Sequence, residues 1–409
     1  MKKVLISTLG RGQREGDRYD YKEGVYLLPD GREVRTKLVS KALIDYIEPD
    51  EIYILGTQES LWNLADELIG SYEKVVIPYG RSREEFWEMF RTINREVDVS
   101  GKDIYLDITH GFRAIPLLVS TVANLFSKVK GARVRGIFYG IFEAKDDEGR
   151  IPVVDLLPIL ELNEWIEGFT LFKNYGDGNF LAEFIERKLS EFDPEQRRKA
   201  GKLSTLPKLL RKYSQAVGFT ALDFIPSSAG QVAKIINELE DPPADLSAVD
   251  LLRNSFRRTY EEVEKRHPEE WRNQYQLTRW LFHKRRYSQA AIALEECIFS
   301  YVLENTGFNV LDEVRRRLGD AFREDREKNV FFTPALNSLF SKIQDLRNKT
   351  GHAFMRKEAG EGDIKDAIDK LERYMKETQK VLNEGGIRNR EALIDYMRSR
   401  LSVRKNPQL

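Results

Sequence analysis

The side chains best suited to chemistry stand close together in the stretch Asp107-Ile108-Thr109-His110-Gly111-Phe112-Arg113. A threonine hydroxyl, a glycine that admits close backbone approach and an arginine are groups that bind an anion, and the N–H groups of a helix start add to them. An apolar run precedes the stretch, and an apolar helix-like segment, 115–129, follows it. The sequence therefore predicts a turn between a buried strand and a helix, at the ligand-binding edge of a sheet. Asp107 is expected either to cap N–H groups of this turn or to contact the ligand.

A second group of reactive side chains lies in Arg347-Asn348-Lys349-Thr350-Gly351-His352. On an unbroken helix, residues five apart point about 140° away from each other, so Arg347 and His352 would not share a target. We expect Gly351 to follow the helix in a left-handed conformation and to bring His352 back beside Arg347. An arginine that grips phosphate and a histidine that moves protons suit RNA cleavage, in which the RNA supplies its own 2′-hydroxyl nucleophile. The alternative is a helix C-terminus with a hydrogen-bonded histidine.

Metal and disulfide chemistry find little support in the sequence. There is no HExxH or CxxC motif, and no Cys or carboxylate cluster accompanies the four histidines, so no metal cofactor is expected. Cys297, the single cysteine, lies in an apolar helical context and is expected to be a buried small hydrophobe. His283 belongs to a basic helix end, 282–287, and is interpreted as a solvated cap.

The charge balance restricts how the chain can meet nucleic acid. It has 66 basic and 66 acidic residues, so any such contact must depend on a local patch and not on a global field. No apolar run approaches the roughly 20 residues that span a bilayer, and the N-terminal apolar stretch is too short for a signal peptide. We therefore expect no membrane contact and a cytoplasmic location.

The first 160 residues alternate strand and helix patterns, which indicates a mostly parallel sheet of Rossmann-like type. Strands are predicted at 3–9, 51–55, 74–77, 104–106, 134–142 and 151–156, and helices at 37–47, 60–70, 82–97 and 114–130. A β-hairpin is predicted at 21–36, hanging from the loop after the first strand. There it would cover a ligand or pair with a second subunit.

Only helical patterns follow residue 158. They are predicted at 161–175, 179–192, 205–217, 229–240, 246–266, 268–286, 288–305, 309–327, 334–350, 362–384 and 390–402. Asp241-Pro242-Pro243 breaks the series and is a candidate domain boundary. The fold class is therefore α/β plus all-α.

The glycines after the first strand leave two interpretations open. Thr8-Leu9-Gly10-Arg11-Gly12 is not a dinucleotide fingerprint, because it lacks the third glycine and a hairpin follows it instead of a helix. Either such glycines only shape turns, or several turns together bind the phosphates or bases of a nucleotide ligand.

Taken together, the two groups of residues resemble those of a family of CRISPR-associated proteins. Asp107-Ile108-Thr109-His110-Gly111 matches the family's DxTHG motif, and Arg347-Asn348 followed by His352 matches the R-N-x3-H form of the HEPN ribonuclease motif. A Rossmann-like CARF domain followed by a helical HEPN domain is also the family's order. The resemblance implies a CARF-like sensor at 1–158, a helical connector at 159–244 and a HEPN ribonuclease domain at 245–409.

The resemblance also implies an activity. In the family, a cyclic oligoadenylate made by a type III CRISPR effector binds the CARF domain and activates the HEPN domain, a metal-independent endoribonuclease that cuts single-stranded RNA. Two HEPN domains form a composite site in a homodimer. The ring lies across the two-fold axis of the CARF dimer, which suits an even number of adenylates. We favour cyclic tetra-adenylate over cyclic hexa-adenylate.

Carried onto this chain, the motifs nominate particular residues. The catalytic residues implied are Arg347, His352 and Asn348. The ligand contacts implied are Thr8, Gly10, Gln58, Thr109, His110, Gly111, Phe112 and Arg113. Some family members also cleave their own activator, and here His110 and Thr8 would be the groups involved. We expect ligand binding to shift the helix that starts near Ala114 and so to reset the spacing of the two HEPN domains.

Two rival functions remain open at this point. The first is a ligand-responsive transcription regulator that binds DNA through its helical domain, using basic runs such as 315–317. A DNA reader, however, has no need of the Arg347 and His352 pair. The second is a HEPN toxin outside CRISPR, which would not need a sensor domain of this length.

Overall fold

A computed structural model describes residues 1–15, 18–111, 114–240, 242–308, 312–351 and 361–402. The chain forms two compact units, Met1–Glu164 and Trp165–Leu409. The first unit carries the β-sheet, and the second is built from helices, which confirms the predicted combination of α/β and all-α folds. The predicted division into a sensor, a connector and a ribonuclease domain stays a prediction.

The first unit alternates strands and helices, as the sequence predicts. Its elements are β1 (Lys3–Leu9), β2 (Gln13–Glu15), β3 (Arg18–Asp20), β4 (Gly24–Leu27), β5 (Glu33–Thr36), α1 (Val39–Ile47), β6 (Glu51–Gly56), α2 (Trp62–Leu68), β7 (Glu73–Val76), α3 (Arg83–Glu96), β8 (Asp103–His110), α4 (Ala114–Val129), β9 (Arg133–Gly140) and β10 (Ile151–Asp155).

Eight strands form one sheet in the order β5-β4-β10-β9-β8-β1-β6-β7. The strands from β9 to β7 in this order are parallel, and β10 is antiparallel to β9. Parallel sheets are buried on both faces, which explains why β1 is buried from Val4 to its end. Along β1, Val4 and Ile6 pack in one core layer with Met89 and Val119, while Leu5 packs in the other with helix α1.

The predicted hairpin is present as β4 and β5, and its expected role as a ligand cover or a subunit contact stays a prediction. Its turn lies at residues 28–31, where Gly31 N–H donates to Leu28 O at 2.9 Å. It does not hang free from the loop after β1, because β4 pairs with β10 and extends the main sheet. Tyr26 on β4 is fully buried. The short strands β2 and β3 form a separate two-stranded sheet.

The helices of the second unit follow the predicted order closely. They are α5 (Leu157–Tyr175), which begins in the first unit, α6 (Asn179–Glu191), α7 (Pro194–Ala200), α8 (Leu206–Gly218), α9 (Phe224–Asn237), α10 (Val249–Val263), α11 (Glu270–His283), α12 (Tyr287–Thr306), α13 (Asp312–Asp325), α14 (Pro334–Gly351), α15 (Glu361–Glu384) and α16 (Arg390–Ser402). Helix α7 was not predicted. Its start is fixed by a capping box between Asp193 and Gln196 and by Pro194 in the first turn.

Helix α12 lies at the centre of the second unit. Most of its residues are buried, including the predicted buried Cys297, and a helix that is apolar nearly all round must be surrounded by others. It packs against α11, α14 and α15. Phe322 stacks between Phe332 and Phe340 at ring distances of 3.9 Å on either side. In the described ranges, no helix combines the length and the apolar character needed to cross a membrane.

Candidate functional site

The candidate ligand site lies where the strand order of the first unit reverses, between β1 and β8. From β1 the chain proceeds outward to β6 and β7, and α3 then returns it to β8 on the other side of β1. Open α/β sheets bind ligands in the crevice at such a reversal, at the carboxyl ends of the strands. The ends of β1, β6 and β8 lie side by side in register. The structure therefore brings together Thr8, Gly10, Thr109, His110 and Gly111, with Gln58 after the neighbouring strand.

The prediction of a turn beginning at Asp107 is wrong, because β8 continues to His110. Asp107 pairs with Ser7 on β1 and with Phe138 on β9, so neighbours on both sides hold the backbone extended. The register with β1 then shifts by one residue before Leu9 pairs with His110. Bulges of this kind re-aim side chains near functional sites. Gly111 follows the strand, whereas the predicted contacts Phe112 and Arg113 lie outside the described residues.

Asp107 is a buried carboxylate that organises the end of β8. Ser7 Oγ donates to Asp107 Oδ2 at 2.6 Å, and the N–H of Thr109 donates to Oδ1 at 3.0 Å. Burial raises the pKa of Asp107, and these hydrogen bonds oppose that rise. Its side chain has no exposed surface. Asp107 therefore caps a backbone N–H group, the first of its two expected roles.

His110 is also held in the interior. The backbone N–H of Val39 donates to His110 Nε2 at 3.2 Å, so this nitrogen accepts a hydrogen bond and carries no proton. The ring lies 4.4 Å from the Tyr21 ring and 6.0 Å from the Phe142 ring, centroid to centroid. Burial lowers the pKa of His110 to about 3. The imidazole is therefore neutral at physiological pH and links β8 to the start of α1.

The ends of β1 and β8 approach each other so closely that a side chain at either glycine would crowd its neighbour. A Cβ on Gly111 would lie 3.0 Å from Thr8 Oγ1, and a Cβ on Gly10 would lie 3.1 Å from His110 O. Thr8 is buried, and its hydroxyl donates to Asp107 O at 3.3 Å. The predicted ligand residues Thr8, Gly10 and His110 are thus buried at these strand ends, and we call them the crevice floor.

Polar groups at the rim of the crevice are more accessible. Gln58 is exposed in the loop after β6. Beside it, Arg11 Nη1 lies 3.1 Å from Glu59 Oε2, and both side chains are substantially exposed. Thr109 is half-buried, and its Oγ1 accepts the N–H of Gly140 at 3.0 Å. The rim therefore offers an amide and a guanidinium to an incoming ligand.

The candidate catalytic residues of the second unit lie near the end of α14. Arg347 is 46% exposed, and its Nε lies 3.1 Å from Glu295 Oε2 on α12. Its Nη1 donates to Asn348 Oδ1 at 3.0 Å. One edge of the guanidinium is thus fixed by a carboxylate and an amide, while the exposed part can reach solvent. His352 lies outside the described residues.

Gly351 was expected to follow the helix, whereas it is the last residue of α14. Thr350 Oγ1 donates to Arg347 O at 2.9 Å, as hydroxyls within a helix often do. The turn that would bring His352 back beside Arg347 stays a prediction, because residues 352–360 lie outside the described part of the chain.

Three residues that sequence reasoning missed shape the two sites. Tyr21 Oη accepts the N–H of Gly10 at 2.9 Å and joins the insertion to the crevice floor, and Ser7 holds Asp107. Glu295 orients Arg347. Glu295 alone left a signal, since two glutamates interrupt the apolar run of α12 and a buried carboxylate needs a partner. Tyr21 and Ser7 left none.

No group of three or more His, Cys, Asp and Glu side chains in the described part of the chain is placed to hold a metal ion. The DxTHG stretch and the end of α14 contribute hydrogen-bonding and cationic groups instead. Such groups recognise phosphates and polar nucleotide atoms.

The strand order and the ligand edge make the first unit a Rossmann-like α/β domain. Residues 4–143 match the family model described as the CARF domain of the CRISPR system endoribonuclease Csx1. The chain is also similar to the CRISPR-associated protein MJ1674 of Methanocaldococcus jannaschii, with 25% identity over 449 aligned positions that cover 91% of this chain. The chain spans 66% of the length of that relative. These matches relate the chain to CRISPR-associated proteins that carry a CARF domain of the Csx1 family.

A solved structure of Enterococcus italicus Csm6 bound to cyclic hexa-2′-fluoro-hexa-dAMP aligns with 98% of both chains. The identity is 10% and the TM-score is 0.34, a likeness too weak to define either fold or ligand. The matches lend no support to the rival function of a transcription regulator.

Proposed function

We propose that the chain is a metal-independent endoribonuclease of type III CRISPR defence, in which a CARF domain binds cyclic oligoadenylate and activates a HEPN domain that cuts single-stranded RNA. One observation carries the proposal: residues 4–143 match the CARF domain of a CRISPR endoribonuclease. The R-N-x3-H motif supports the proposal. It lies outside residues 4–143 and supplies the arginine and the histidine that such an enzyme needs.

The crevice at the ends of β1 and β8 is proposed as the activator site. Gly10 and Gly111 leave the backbone open to close approach, and Gln58 and Arg11 stand at the rim. An uncharged floor with an amide and a guanidinium at its edge suits a ring of nucleotides whose phosphates face outward. We propose cyclic tetra-adenylate as the activator, with cyclic hexa-adenylate as the alternative.

The geometry at His110 bears on whether the activator is also cleaved. A neutral imidazole whose Nε2 already accepts a hydrogen bond cannot deliver a proton from that atom. Thr8 is likewise buried and bonded to Asp107 O. We propose that both residues shape the floor and that neither cleaves the ring.

At the RNA site, Arg347, His352 and Asn348 are proposed to act together. Arg347 would bind a non-bridging phosphate oxygen and stabilise the charge that develops on the phosphorane. His352 would move a proton between the RNA oxygens and solvent, since an ordinary imidazole titrates near neutral pH. Asn348, bonded to Arg347 Nη1, would keep the guanidinium in one plane.

A homodimer is part of the proposal, and α4 offers a surface for it. Leu117, Leu125 and Val129 are 74%, 43% and 72% exposed. Their spacing places them along one side of the helix, which produces an apolar stripe in contact with water. A second copy of the chain, presenting the same stripe, would cover it across a two-fold axis.

The proposed chemistry is tested by RNA cleavage in the presence of EDTA. Full-length protein is expected to cut a labelled single-stranded RNA once cyclic tetra-adenylate is added, and Arg347→Ala is expected to lose the activity while binding the activator with unchanged affinity. Arg316→Ala, which removes an exposed arginine from α13, serves as the matched control. Undiminished cleavage by Arg347→Ala would remove the catalytic assignment.

A further inference from the structure

A groove in the second unit is not accounted for by the functions above. It consists of two cavities of about 750 and 350 Å³ that share Glu262, His283 and Lys284. Helices α10 and α11 supply most of its walls, and Gln379 of α15 and Lys173 at the end of α5 complete them. We call it the α11 groove. It contains the basic helix end interpreted from the sequence as a solvated cap.

The lining of the α11 groove is strongly basic. Seven Lys and Arg residues line it against two glutamates, a formal charge of +5 without the histidines. The seven are Lys173, Arg258, Arg266, Arg272, Arg279, Lys284 and Arg285. Because the whole chain has no net charge, this concentration is local. A local basic patch is the electrostatic footprint expected of a surface that binds nucleic acid.

Several of these cations are not neutralised by neighbouring acids. Arg258, Arg279 and Arg285 are exposed, and no carboxylate lies within ion-pair distance of them in the ranges that the structure covers. By contrast, Arg266 lies 2.6 Å from Glu264, and Arg272 lies 3.4 Å from Glu269. Exposed guanidinium groups without an internal partner are available to phosphate oxygens.

The backbone at Arg285 gives an independent indication. Its φ is 60°, in the left-handed region that side chains other than glycine seldom adopt. The turn is pinned on both sides, since Lys284 Nζ donates to Lys173 O at 2.6 Å and Arg286 Nε donates to Tyr175 O at 2.8 Å. Strain that neighbouring contacts enforce in this way is typical of functional sites.

The floor of the groove is aromatic but closed. Trp271, Tyr275 and Trp280 line the larger cavity and are each less than one-tenth exposed. Their faces are therefore not free to stack on bases. Tyr275 Oη donates to Met375 O at 3.1 Å, which fixes the floor to α15. A rigid apolar floor beneath exposed arginines favours contact with a sugar–phosphate backbone over the reading of base sequence.

We propose that the α11 groove binds the phosphate backbone of single-stranded RNA, without base specificity, and holds the substrate on the second unit. This inference rests on the proposed ribonuclease function. Helix α12 packs against α11, which forms a groove wall, and against α14, which carries Arg347. Packed helices lie roughly 8–10 Å apart, so the axes of α11 and α14 are separated by no more than about two such spacings.

The test measures binding in the full-length Arg347→Ala protein, so that RNA is not consumed. Fluorescence anisotropy with a labelled 20-nucleotide polyuridine gives the dissociation constant at several salt concentrations. The variant Arg258→Ala/Arg279→Ala removes two unpaired cations of the groove. Its matched control, Lys199→Ala/Lys234→Ala, removes two exposed lysines of α7 and α9. Because all four side chains are exposed, both variants are expected to fold, and Arg279→Gln alone provides a milder second variant.

The groove variant is expected to bind RNA at least about tenfold more weakly, whereas the control binds normally. The slope of log Kd against log salt should fall by about 1.4, since each lost phosphate contact on a single strand contributes about 0.7. Equal affinities of the two variants would overturn the proposal. Labelled polyglutamate is measured as a second probe. If the groove variant loses binding to polyglutamate but binds RNA normally, the proposal is overturned and the groove is assigned to an acidic protein.

The two proposals fail separately. For this comparison, the groove and control substitutions are also made in protein that retains Arg347. If that protein cuts RNA, and the groove substitutions change neither RNA binding nor cleavage relative to the control, only the groove assignment is wrong. If the groove substitutions weaken RNA binding but protein that retains Arg347 does not cut RNA, the groove assignment stands and the ribonuclease function is wrong.

Discussion

At the scale of single residues, the candidate activator site is organised by buried polar groups and not by exposed ones. Asp107 accepts hydrogen bonds from Ser7 and Thr109, and His110 accepts one from Val39. Buried polar groups that are fully bonded fix one local arrangement, and an unmade bond in such a place costs about 1–3 kcal/mol. Asp107 and His110 therefore have a structural role in this chain: their buried, hydrogen-bonded side chains fix the end of β8.

The neutral state of His110 predicts how stability changes with pH. In the unfolded chain an imidazole binds a proton near pH 6.5, whereas the folded pKa of His110 is about 3. Below pH 6.5 the unfolded state therefore holds more protons, and stability falls as pH falls, by up to about 1.4 kcal/mol per pH unit. Thermal unfolding of the full chain and of His110→Gln, from pH 7 to pH 4.5, measures the difference. The wild type should lose Tm more steeply than the variant.

Parallel acid profiles for the two proteins would contradict a neutral, buried His110. The comparison with His110→Gln is needed because Asp107, with its raised pKa, contributes the opposite slope in both proteins.

At the scale of helices, the orientation of the Arg347 side chain depends on the neighbouring helix α12. Glu295 is 5% exposed at its side chain and faces the Arg347 guanidinium. Burial raises the pKa of Glu295, and the charge of Arg347 opposes that rise. A buried carboxylate that loses its cation is left uncompensated. The packing of α12 against α14 therefore couples the orientation of a proposed catalytic residue to the core of the second unit.

A double-mutant cycle on stability tests this coupling independently of activity. Arg347→Ala should lower the free energy of unfolding, and adding Glu295→Gln should restore part of the loss. The expected coupling free energy is about 1 kcal/mol. Urea unfolding of the four proteins measures it. The same cycle with Glu296→Gln serves as control, because Glu296 pairs with Arg315 and should couple less to Arg347. Additive effects for Glu295 and Arg347 would contradict the positioning role.

Helix positions could be predicted well, whereas side-chain partners could not. The 3.6-residue period located α14, since Leu336, Leu339 and Ile343 repeat along it and Thr333-Pro334 marks its start. The end of β8 was missed because Asp107 and His110 are polar, and polar residues late in a strand read as a turn. Their partners come from β1 and α1, and contacts between distant segments leave no local pattern in sequence.

At the scale of the whole molecule, the two units divide the proposed work. The first unit has the strand reversal proposed as the activator site, and the second has the basic α11 groove and Arg347. The overall neutrality of the chain conceals this division. The sequence predicted this division only through its two motifs. The groove could not be predicted, because α5, α10 and α11 bring its cations together from three separate segments.

The proposed homodimer gives a prediction at this scale. Leu117→Glu/Val129→Glu would place two charges in the apolar stripe of α4, and burying unpaired charge disfavours association strongly. Sedimentation velocity is expected to show a dimer for the wild type and a monomer for the variant. Trp87→Glu, on α3, changes an exposed apolar side chain outside the stripe and should remain dimeric. A variant of α4 that still dimerises would exclude the stripe as the interface.

The most direct measurement of the central claim is the initial rate at which the full-length protein cuts single-stranded RNA, with and without cyclic tetra-adenylate, in EDTA. If the ring binds the active arrangement more tightly by about 1–3 kcal/mol, as is typical of allosteric coupling, the rate should rise roughly 5- to 150-fold. Cyclic hexa-adenylate should activate less at the same concentration. Equal cleavage rates with and without both rings would contradict the account.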